Sequence, residues 1–251
     1  MTAAGALAGR RALVTGGTKG IGRGVVLAMA RAGADVLTCH RADDDSAASL
    51  RAELAGLPGK HHVVRADVSD PADARRLLAE CESALGGLEV LVNNAGAFRP
   101  RPYAELSAGE WSTTLAGNLT ATHQLTQGAL RLLAPGSSIV NFGSTVTFVG
   151  MAGGVHYTAA KAAIVGYTRS LARELGPEGI RVNVISPGRI DTEALDALGP
   201  EEAARQRAIF SRFNALGRLG TVAEIAAVAV FLAGPVSGYV TGQNIHVDGC
   251  V

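Results

Sequence analysis

A tyrosine and a lysine four positions apart are the first candidates for chemistry in this sequence. Tyr157 and Lys161 open an alanine-rich stretch, and residues i and i+4 lie on one face of a helix. An ammonium beside a phenol favours the phenolate, so Lys161 would lower the pKa of Tyr157 from about 10 towards the working pH, as proton transfer requires. Taken alone, the pair also fits a packed tyrosine beside a solvated lysine.

A serine precedes this pair at the end of an apolar stretch. Residues 138–143 predict a strand, Ser144 follows it directly, and a glycine-rich segment leads on to Tyr157. Whether Ser144, Tyr157 and Lys161 act at one site therefore depends on the strands and helices that position them.

A glycine-rich turn near the N-terminus is a candidate phosphate-binding segment. Residues 11–15 predict a strand, Gly16, Gly20 and Gly22 follow, and a helical pattern comes next. This order points backbone N–H groups and a positive helix end at a phosphate. The spacing differs from the usual dinucleotide fingerprint, and a plain tight turn is the alternative.

Strand patterns alternate with helical patterns along the chain. Strands are predicted at 35–39, 62–66, 88–92 and 181–185, and helices at 46–54, 71–85, 107–133 and from Tyr157 onwards. Such alternation predicts a parallel sheet covered on both faces, and no linker divides the chain, so residues 1–251 form one domain. Ligands bind at the carboxyl ends of such strands, which are Gly16, residues 39–41, Asp67, Asn93, Ser144 and Pro187.

The composition narrows the classes of function. The net charge is +1 and 18% of the residues are charged, which gives no support to nucleic-acid or anionic-membrane binding. Cys39, Cys81 and Cys250 are widely spaced without a Cys-x-x-Cys pair, so neither disulfides nor a metal site are expected. No signal peptide or membrane-spanning run is evident. We expect a cytoplasmic protein.

Together these residues resemble the short-chain dehydrogenase/reductase family over essentially the whole chain. The matching motifs are Thr15-Gly16-x3-Gly20-Ile21-Gly22, Asp67-Val68, Asn93-Asn94-Ala95-Gly96, Asn118, Ser144-x12-Tyr157-x3-Lys161, Pro187-Gly188 and Thr241-Gly242-x5-Asp248-Gly249. With this resemblance, the predicted fold is a single Rossmann-like, doubly wound domain, whose seven-stranded parallel sheet carries helices on both faces.

The resemblance implies four catalytic residues. Tyr157 would exchange a proton with the substrate oxygen, and Ser144 would hydrogen-bond that oxygen, where charge develops. Lys161 would lower the Tyr157 pKa and bind the nicotinamide ribose. Asn118 would hold a water that links Lys161 to solvent, although it also fits a polar residue on an exposed helix turn.

The resemblance also implies the cofactor contacts. Beside Tyr157 and Lys161, they comprise Gly16, Thr18, Lys19, Gly20, Ile21 and Gly22 in the glycine turn, Asp67 and Val68 at the adenine, Asn93, Ala95 and Gly96 at the centre, and Pro187, Gly188, Ile190 and Thr192 towards the carboxamide. Asp67 could otherwise cap the following helix, a task that Ser69 or Asp70 fits better.

The end of the second strand indicates which nicotinamide is used. NAD-preferring relatives carry an aspartate there, whereas this chain has His40 followed by Arg41, with Lys19 in the glycine turn. Two cations and no carboxylate around one ribose favour NADP(H). The acidic residues 43–45 could instead neutralise Arg41.

The substrate side is predicted in outline. Residues 189–216, the lid segment, should cover the site with a helix that begins at Pro200, and its apolar residues Leu195, Leu198, Ile209, Phe210 and Phe213 either face the substrate or pack the helix down. The candidate substrate residues are Phe98, Val146, Phe148, Met151, Phe210 and Phe213. Arg99 and Arg101 at the rim could meet an acidic carrier protein or remain solvated.

The sequence thus predicts an NADPH-dependent ketoreductase of polyketide-like or cyclic ketones, or of β-ketoacyl thioesters. An oxidative NAD(P)-dependent alcohol or sugar dehydrogenase and a catalytically idle, cofactor-sensing or scaffolding member are the alternatives. A homodimer or homotetramer is expected, through the long helix and through Ala159, Ala160, Ala163, Ile164, Gly166 and Tyr167 on the Tyr157 helix.

Overall fold

A seven-stranded parallel sheet lies at the centre of the computed structural model, which describes residues 5–251. The strands are β1 (Arg11–Val14), β2 (Asp35–His40), β3 (His61–Arg65), β4 (Val90–Asn93), β5 (Ser138–Phe142), β6 (Arg181–Pro187), β7 (Ile190–Asp191), β8 (Gly220–Thr221) and β9 (Asn244–Val247). The sheet has the order β3-β2-β1-β4-β5-β6-β9, and β7 pairs separately with β8. The chain reverses its direction of progress between β1 and β4, which creates a crevice at their carboxyl ends where ligands of such sheets bind.

Ten α-helices are found in residues 5–251. They are α1 (Gly20–Arg31), α2 (Asp44–Ala55), α3 (Pro71–Leu85), α4 (Ala108–Leu115), α5 (Ala121–Ala129), α6 (Val146–Val149), α7 (Val155–Leu175), α8 (Glu193–Asp196), α9 (Pro200–Ser211) and α10 (Val222–Ala233). Helices α1, α2 and α10 contribute to one buried cluster and α3, α5 and α7 to the other. The predicted doubly wound parallel sheet is confirmed.

The apolar strands divide their side chains between these two clusters. In β1, Ala12 and Val14 belong to the first cluster and Leu13 to the second, because successive side chains of a strand point to opposite faces. Both faces are covered, so the strands need apolar residues at nearly every position. This requirement explains the continuous apolar runs in the sequence.

The boundaries of several elements differ from those predicted. The predicted helix over 71–85 is confirmed, with Asp70 as its cap: its carboxylate accepts from the backbone N–H of Ala72 at 2.7 Å. The predicted helix over 107–133 is instead α4, a π-helical turn at Ala116–Thr120, α5 and a final 3₁₀ turn. Helix α6 and strand β9 were not among the predicted elements.

Neither a membrane-spanning helix nor a metal-binding cluster occurs in residues 5–251. No helix there is long and apolar enough to cross a membrane. The same residues contain no group of His, Cys, Asp and Glu side chains arranged to hold a metal ion.

Candidate active site

The glycine turn after β1 brings the backbone close to the neighbouring elements. Gly16 has φ of 65°, and a Cβ added at Gly22 would lie 2.2 Å from the Gly16 carbonyl oxygen. Only glycine fits this tight approach, which leaves the start of α1 facing the crevice. There the Gly20 N–H donates to Oε1 of Glu193, from the lid segment, at 2.6 Å.

A cleft of about 630 Å³ extends along the carboxyl ends of β1, β2, β3 and β4. Twelve of the predicted cofactor residues line it: Gly16, Lys19, Gly20, Ile21, Gly22, His40, Arg41, Asp67, Val68, Ala95, Gly96 and Thr192. Thr18 lines an adjoining recess with His40, Arg41 and the acidic residues 43–45. The structure therefore brings most of the predicted cofactor contacts to one continuous surface.

A second cavity of about 290 Å³ contains the predicted catalytic residues. It is lined by Asn118, Ser144, Tyr157 and Lys161 together with Phe98, Phe142, Gly143, Pro187 and Gly188. Ile21, Asn94, Gly96 and Ala97 line both this cavity and the cleft. A molecule extended along the cleft would thus reach the catalytic side chains.

Burial dominates the protonation of the Tyr157–Lys161 pair. Burial raises the pKa of the Tyr157 phenol, and a hydrogen bond with the Ser144 hydroxyl lowers it by a smaller amount. Burial lowers the pKa of Lys161 to about 8. The Lys161 ammonium donates to the Phe142 carbonyl at 3.0 Å and lies 5.6 Å from the centre of the Tyr157 ring.

The predicted lowering of the Tyr157 pKa is therefore wrong for this structure. Desolvation penalises the phenolate, and the lysine charge that would stabilise it is itself desolvated. Tyr157 is consequently a protonated phenol, which suits donation of a proton.

The π-helical turn places Asn118 beside Lys161. Asn118 is buried, and its amide donates to the carbonyls of Ala97 at 2.9 Å and Thr114 at 3.0 Å. Its Oδ1 has no partner among the described residues. A Cβ added at Gly96 would lie 2.5 Å from this oxygen and 3.5 Å from Lys161 Nζ. The predicted exposed helix turn is thus excluded, and π-helical turns often occur at functional sites.

The crevice between β1 and β4 is fixed by Thr15 and Asn94. The Thr15 hydroxyl accepts from the backbone N–H groups of Asn94 and Ala95 at 3.1 and 3.0 Å. The Asn94 amide donates to the Thr15 and Gly16 carbonyls at 2.9 and 3.1 Å. This network holds the end of β4 against the glycine turn. Both residues belong to motifs named from the sequence, but neither side chain was given a role there.

Two predicted cofactor side chains point elsewhere. The buried Asn93 amide donates to Thr126 at 3.0 Å and to Asn141 at 2.8 Å, because strand alternation turns it away from the face that Asn94 occupies. Ile190 is partly buried and packs against the first apolar cluster. The Asn93 prediction is therefore corrected for the side chain, since Asn94 lines both cavities instead, whereas contact of Ile190 with the carboxamide stays a prediction.

The charges near the end of β2 do not pair as the alternative to NADP(H) binding supposed. Lys19, rather than Arg41, forms an ion pair with Asp43. The exposed Arg41 guanidinium lies 3.9 Å from Asp67. His40 is buried, its ring nitrogens have no hydrogen-bond partner among the described residues, and burial lowers its pKa. Both cations line the cleft, but each has an acidic neighbour.

Among the predicted substrate residues only Phe98 lines the catalytic cavity. Its ring stacks at a tilt on that of Tyr157, with centroids 4.9 Å apart. Phe148 is 78% exposed and meets His246, and Phe210 lies under the Arg189 guanidinium at 4.4 Å. Val146, Met151 and the exposed Phe213 also lie outside the cavity lining, so five of these six predictions are not supported by the cavity.

The lid segment is fastened by arginine contacts that the sequence did not reveal. Arg207 of α9 donates to Asp191 at 2.8 Å and to Asp196 at 2.6 Å. Together with the contact between Glu193 and Gly20, these bonds hold β7 and α8 over the start of α1.

Comparison with known proteins places this geometry in a family. A family described as "Enoyl-(Acyl carrier protein) reductase" matches residues 16–251. The chain is 36% identical to the 3-oxoacyl-[acyl-carrier-protein] reductase FabG of Vibrio cholerae, over 97% of either protein. It is 35% identical to that of Aquifex aeolicus with the same coverage.

Solved structures give the same result. A short chain dehydrogenase from Burkholderia cenocepacia in complex with NADP superimposes with a TM-score of 0.89 at 36% identity, over 97% of this chain and 98% of that one. A blue fluorescent protein from a metagenomic library, in complex with NADPH, gives the same TM-score, identity and coverage. The matches in sequence and in structure agree with the site described above, and this chain belongs to the short-chain dehydrogenase/reductase family of oxidoreductases.

Proposed function

We propose that this chain is an NADP(H)-dependent ketoreductase that reduces the ketone of 3-oxoacyl thioesters. The observation that carries the proposal is the cavity in which Ser144, Tyr157, Lys161 and Asn118 meet, open to the cleft that begins at α1. When bound, the reduced nicotinamide supplies a hydride to the carbonyl carbon. The residues of the chain bind the carbonyl oxygen and supply its proton.

The two hydroxyl groups act on the carbonyl oxygen. Ser144 donates a hydrogen bond to the oxygen, where negative charge develops in the transition state. Tyr157 gives its proton to the same oxygen, and its raised pKa keeps that proton available at neutral pH. Lys161, held by the Phe142 carbonyl, keeps a positive charge beside the phenolate that forms.

The cleft suits a phosphorylated dinucleotide. The close approach at Gly16 and Gly22 opens the start of α1 to a pyrophosphate, and Lys19 and Arg41 line the far end, where a 2′-phosphate would lie. The solved relatives that bind NADP and NADPH support this choice of cofactor. The last residue of β2 is His40 rather than an aspartate or glutamate.

The substrate class follows from the relatives and from the cavity. The curated relatives are named for substrates carried by acyl carrier protein. The exposed Arg99 directly follows Phe98, which lines the catalytic cavity, and there it would meet an acidic carrier. Polyketide-like and cyclic ketones belong to the same proposal, because Phe98 gives the cavity an apolar wall.

The description of the matching family raises reduction of an enoyl thioester as a second candidate. The Ser144–Tyr157 pair favours the ketone, because it offers two hydroxyl groups to one oxygen. NADPH oxidation should be compared with a 3-oxoacyl and a 2-enoyl thioester of equal chain length. Turnover of the enoyl substrate alone would refute the ketoreductase, and turnover only of alcohols with NAD(P)+ would favour the oxidative dehydrogenase.

Tyr157→Phe tests the catalytic assignment. We expect kcat to fall by about 10²–10⁴, the usual contribution of general acid catalysis, with NADPH affinity nearly unchanged. Tyr167→Phe, a half-buried tyrosine farther along the same helix, is the matched control and should retain kcat. A Tyr157→Phe enzyme with more than about a tenth of the wild-type kcat would remove Tyr157 from this role.

Assembly and location belong to this proposal as well. The predicted homodimer or homotetramer cannot use Ala160 and Ile164, which are buried within the chain, whereas Gly166 is exposed. Val236 and Tyr239, exposed after α10, add an apolar surface for contact between copies. Light scattering at micromolar concentration tests this, and a monomer mass would contradict it. A cytoplasmic location stays a prediction from cysteine usage.

A further inference from the structure

The loop between β4 and α4 is tied to the rest of the site on both sides of Phe98. Before Phe98, the Ala97 carbonyl accepts the Asn118 amide at 2.9 Å. After it, the Arg99 carbonyl lies 3.1 Å from Nε2 of His156. Phe98 itself lines the catalytic cavity and stacks on Tyr157. The position of this aromatic wall therefore depends on two backbone carbonyls and on the groups that bind them.

Among the described residues, the side chain of His156 has its polar contact with this loop, and its ring centre lies 6.0 Å from that of Phe98. It directly precedes Tyr157 near the start of α7, and only 2% of it is exposed. Because the Arg99 carbonyl can only accept, Nε2 must carry the hydrogen. Nδ1 is buried without a partner among the described residues, so the histidine keeps one hydrogen bond at the cost of leaving the other nitrogen unsatisfied. An apolar side chain could fill this space, but it could not donate to the Arg99 carbonyl.

The rest of the loop is held independently. The Arg101 N–H donates to the Gly153 carbonyl at 2.8 Å, and Ala95 is held by the Thr15 hydroxyl at 3.0 Å. Loss of the histidine bond would therefore release the segment around Phe98 and Arg99, while the wall of the cofactor cleft at Ala95 keeps its support.

We propose that His156 is a positioning residue for the substrate, which acts by holding Phe98 against Tyr157 through the Arg99 carbonyl. This inference rests on the proposed ketoreductase function. It identifies Phe98 as the wall of the cavity that selects substrates by their size. Phe98 contacts the part of the substrate beyond the reacting carbonyl, so its position affects the ground state and the transition state alike. Such uniform binding appears in KM rather than in kcat.

The test compares His156→Leu with His156→Gln in the full-length protein. Leucine removes the donor, and we expect KM for a long 3-oxoacyl thioester to rise about tenfold, the size expected for one buried hydrogen bond. Glutamine places an amide N–H near the position of Nε2 and should restore most of that loss. The kcat should stay within about threefold and the Kd for NADPH within about twofold, since the Tyr157–Ser144 and Lys161–Phe142 hydrogen bonds do not involve His156.

A double-variant cycle separates positioning from general stability. If His156 acts through Phe98, the KM of Phe98→Ala should barely change when His156→Leu is added, because the wall is already gone. His62→Gln on the edge strand β3 is the matched histidine control and should leave KM unchanged. The melting temperature of each variant shows whether it folds.

The outcomes either support or overturn the proposal. An unchanged KM in a folded His156→Leu enzyme, or additive effects with Phe98→Ala, would overturn it. If His156→Leu fails to fold, His156→Met, which also lacks the N–H donor, replaces it in the same cycle, with additivity again the contradicting result. A wild-type enzyme that reduces no 3-oxoacyl thioester would refute the proposed function, a result distinct from either of these.

Discussion

Tyr157 and Lys161 respond to the same buried environment in opposite directions. Burial raises the pKa of the tyrosine and lowers that of the lysine to about 8. Both shifts follow from the cost of placing a charge where water is excluded. At neutral pH the tyrosine therefore keeps its proton, and the lysine, with a pKa of about 8, is still mostly charged.

The lysine should therefore impose a pH dependence on stability. Between its folded-state pKa of about 8 and its ordinary value of 10.5, the unfolded chain binds more protons at Lys161 than the folded chain, so rising pH favours folding. We expect the free energy of unfolding of the wild type, relative to Lys161→Met, to increase by on the order of 2 kcal/mol from pH 7 to pH 10.

Urea unfolding at several pH values measures this difference. The buried Cys39 and Cys81 thiols, whose pKa burial raises to about 11, are common to both proteins and cancel. A difference that is constant or that falls with pH would show that Lys161 is not desolvated in the folded chain.

Arg41 should carry much of the preference for NADPH over NADH. It is exposed and lies 3.9 Å from Asp67, whereas Lys19 already forms an ion pair with Asp43. We expect Arg41→Ala to weaken NADPH binding about tenfold, because an exposed charge-assisted hydrogen bond is worth the low end of its usual range. NADH binding should hardly change.

The ratio of kcat/KM for the two cofactors with one ketone measures this effect. Arg131→Ala, which removes an exposed arginine paired with Glu82 on the other layer of helices, is the matched control. Equal losses for NADPH and NADH would show that Arg41 does not read the 2′-phosphate.

Helix α8 and the start of α1 share one contact that bears on cofactor binding. The Glu193 carboxylate accepts from the Gly20 N–H at 2.6 Å, at the positive end of α1 that a pyrophosphate would use. The arginine bonds of α9 to Asp191 and Asp196 hold this part of the lid segment in place. The Glu193 carboxylate therefore lies beside the position that the pyrophosphate of the cofactor would occupy.

We expect Glu193→Gln to tighten NADPH binding about threefold to tenfold, because it removes a negative charge that competes at the helix end. Titration calorimetry without substrate measures the Kd directly. Glu201→Gln, an exposed carboxylate in the first turn of α9, should leave the Kd unchanged. Weaker binding by Glu193→Gln would instead mean that this carboxylate holds the lid segment closed over the cofactor.

The sheet and its outer helix layer are joined by a buried arginine. Arg181 of β6 donates to the Leu232 carbonyl at 2.8 Å, to the Gly234 carbonyl at 3.1 Å and to the Ser237 hydroxyl at 2.8 Å. It thereby satisfies carbonyl groups at the end of α10, which the helix cannot satisfy itself. The guanidinium also places a positive charge at the negative end of that helix.

Arg181→Met should destabilise the whole molecule without altering the site. We expect the free energy of unfolding to fall by about 2–4 kcal/mol, because three hydrogen bonds from one buried charge are lost together, although the Ser138 and Ser237 hydroxyls still donate to the two carbonyls. Urea unfolding measures the loss, and Arg173→Met, an exposed arginine near the end of α7, is the control. A change in kcat larger than the change in folded fraction would contradict the separation of stability from function.

Much of this architecture could be predicted from the sequence, because the relevant signals are local. Alternating strands and helices predict a parallel sheet, and the i, i+4 spacing of Tyr157 and Lys161 puts both on one helix face. Asp70 before a proline marks a helix start. The roles expected for Ser144 and Asn118 came instead from the resemblance of the ordered motifs to the family.

Other features depended on contacts between residues far apart in the chain. Which of Asn93 and Asn94 faces the cleft depends on the register of β4 against its neighbours, and Glu193 reaches Gly20 across 173 positions. The direction of the Tyr157 pKa shift depends on how much water the packed site excludes. The sequence by itself determined which groups are present and on which element each lies. Only the tertiary structure decided their partners and charges, because desolvation and pairing arise where separate elements meet.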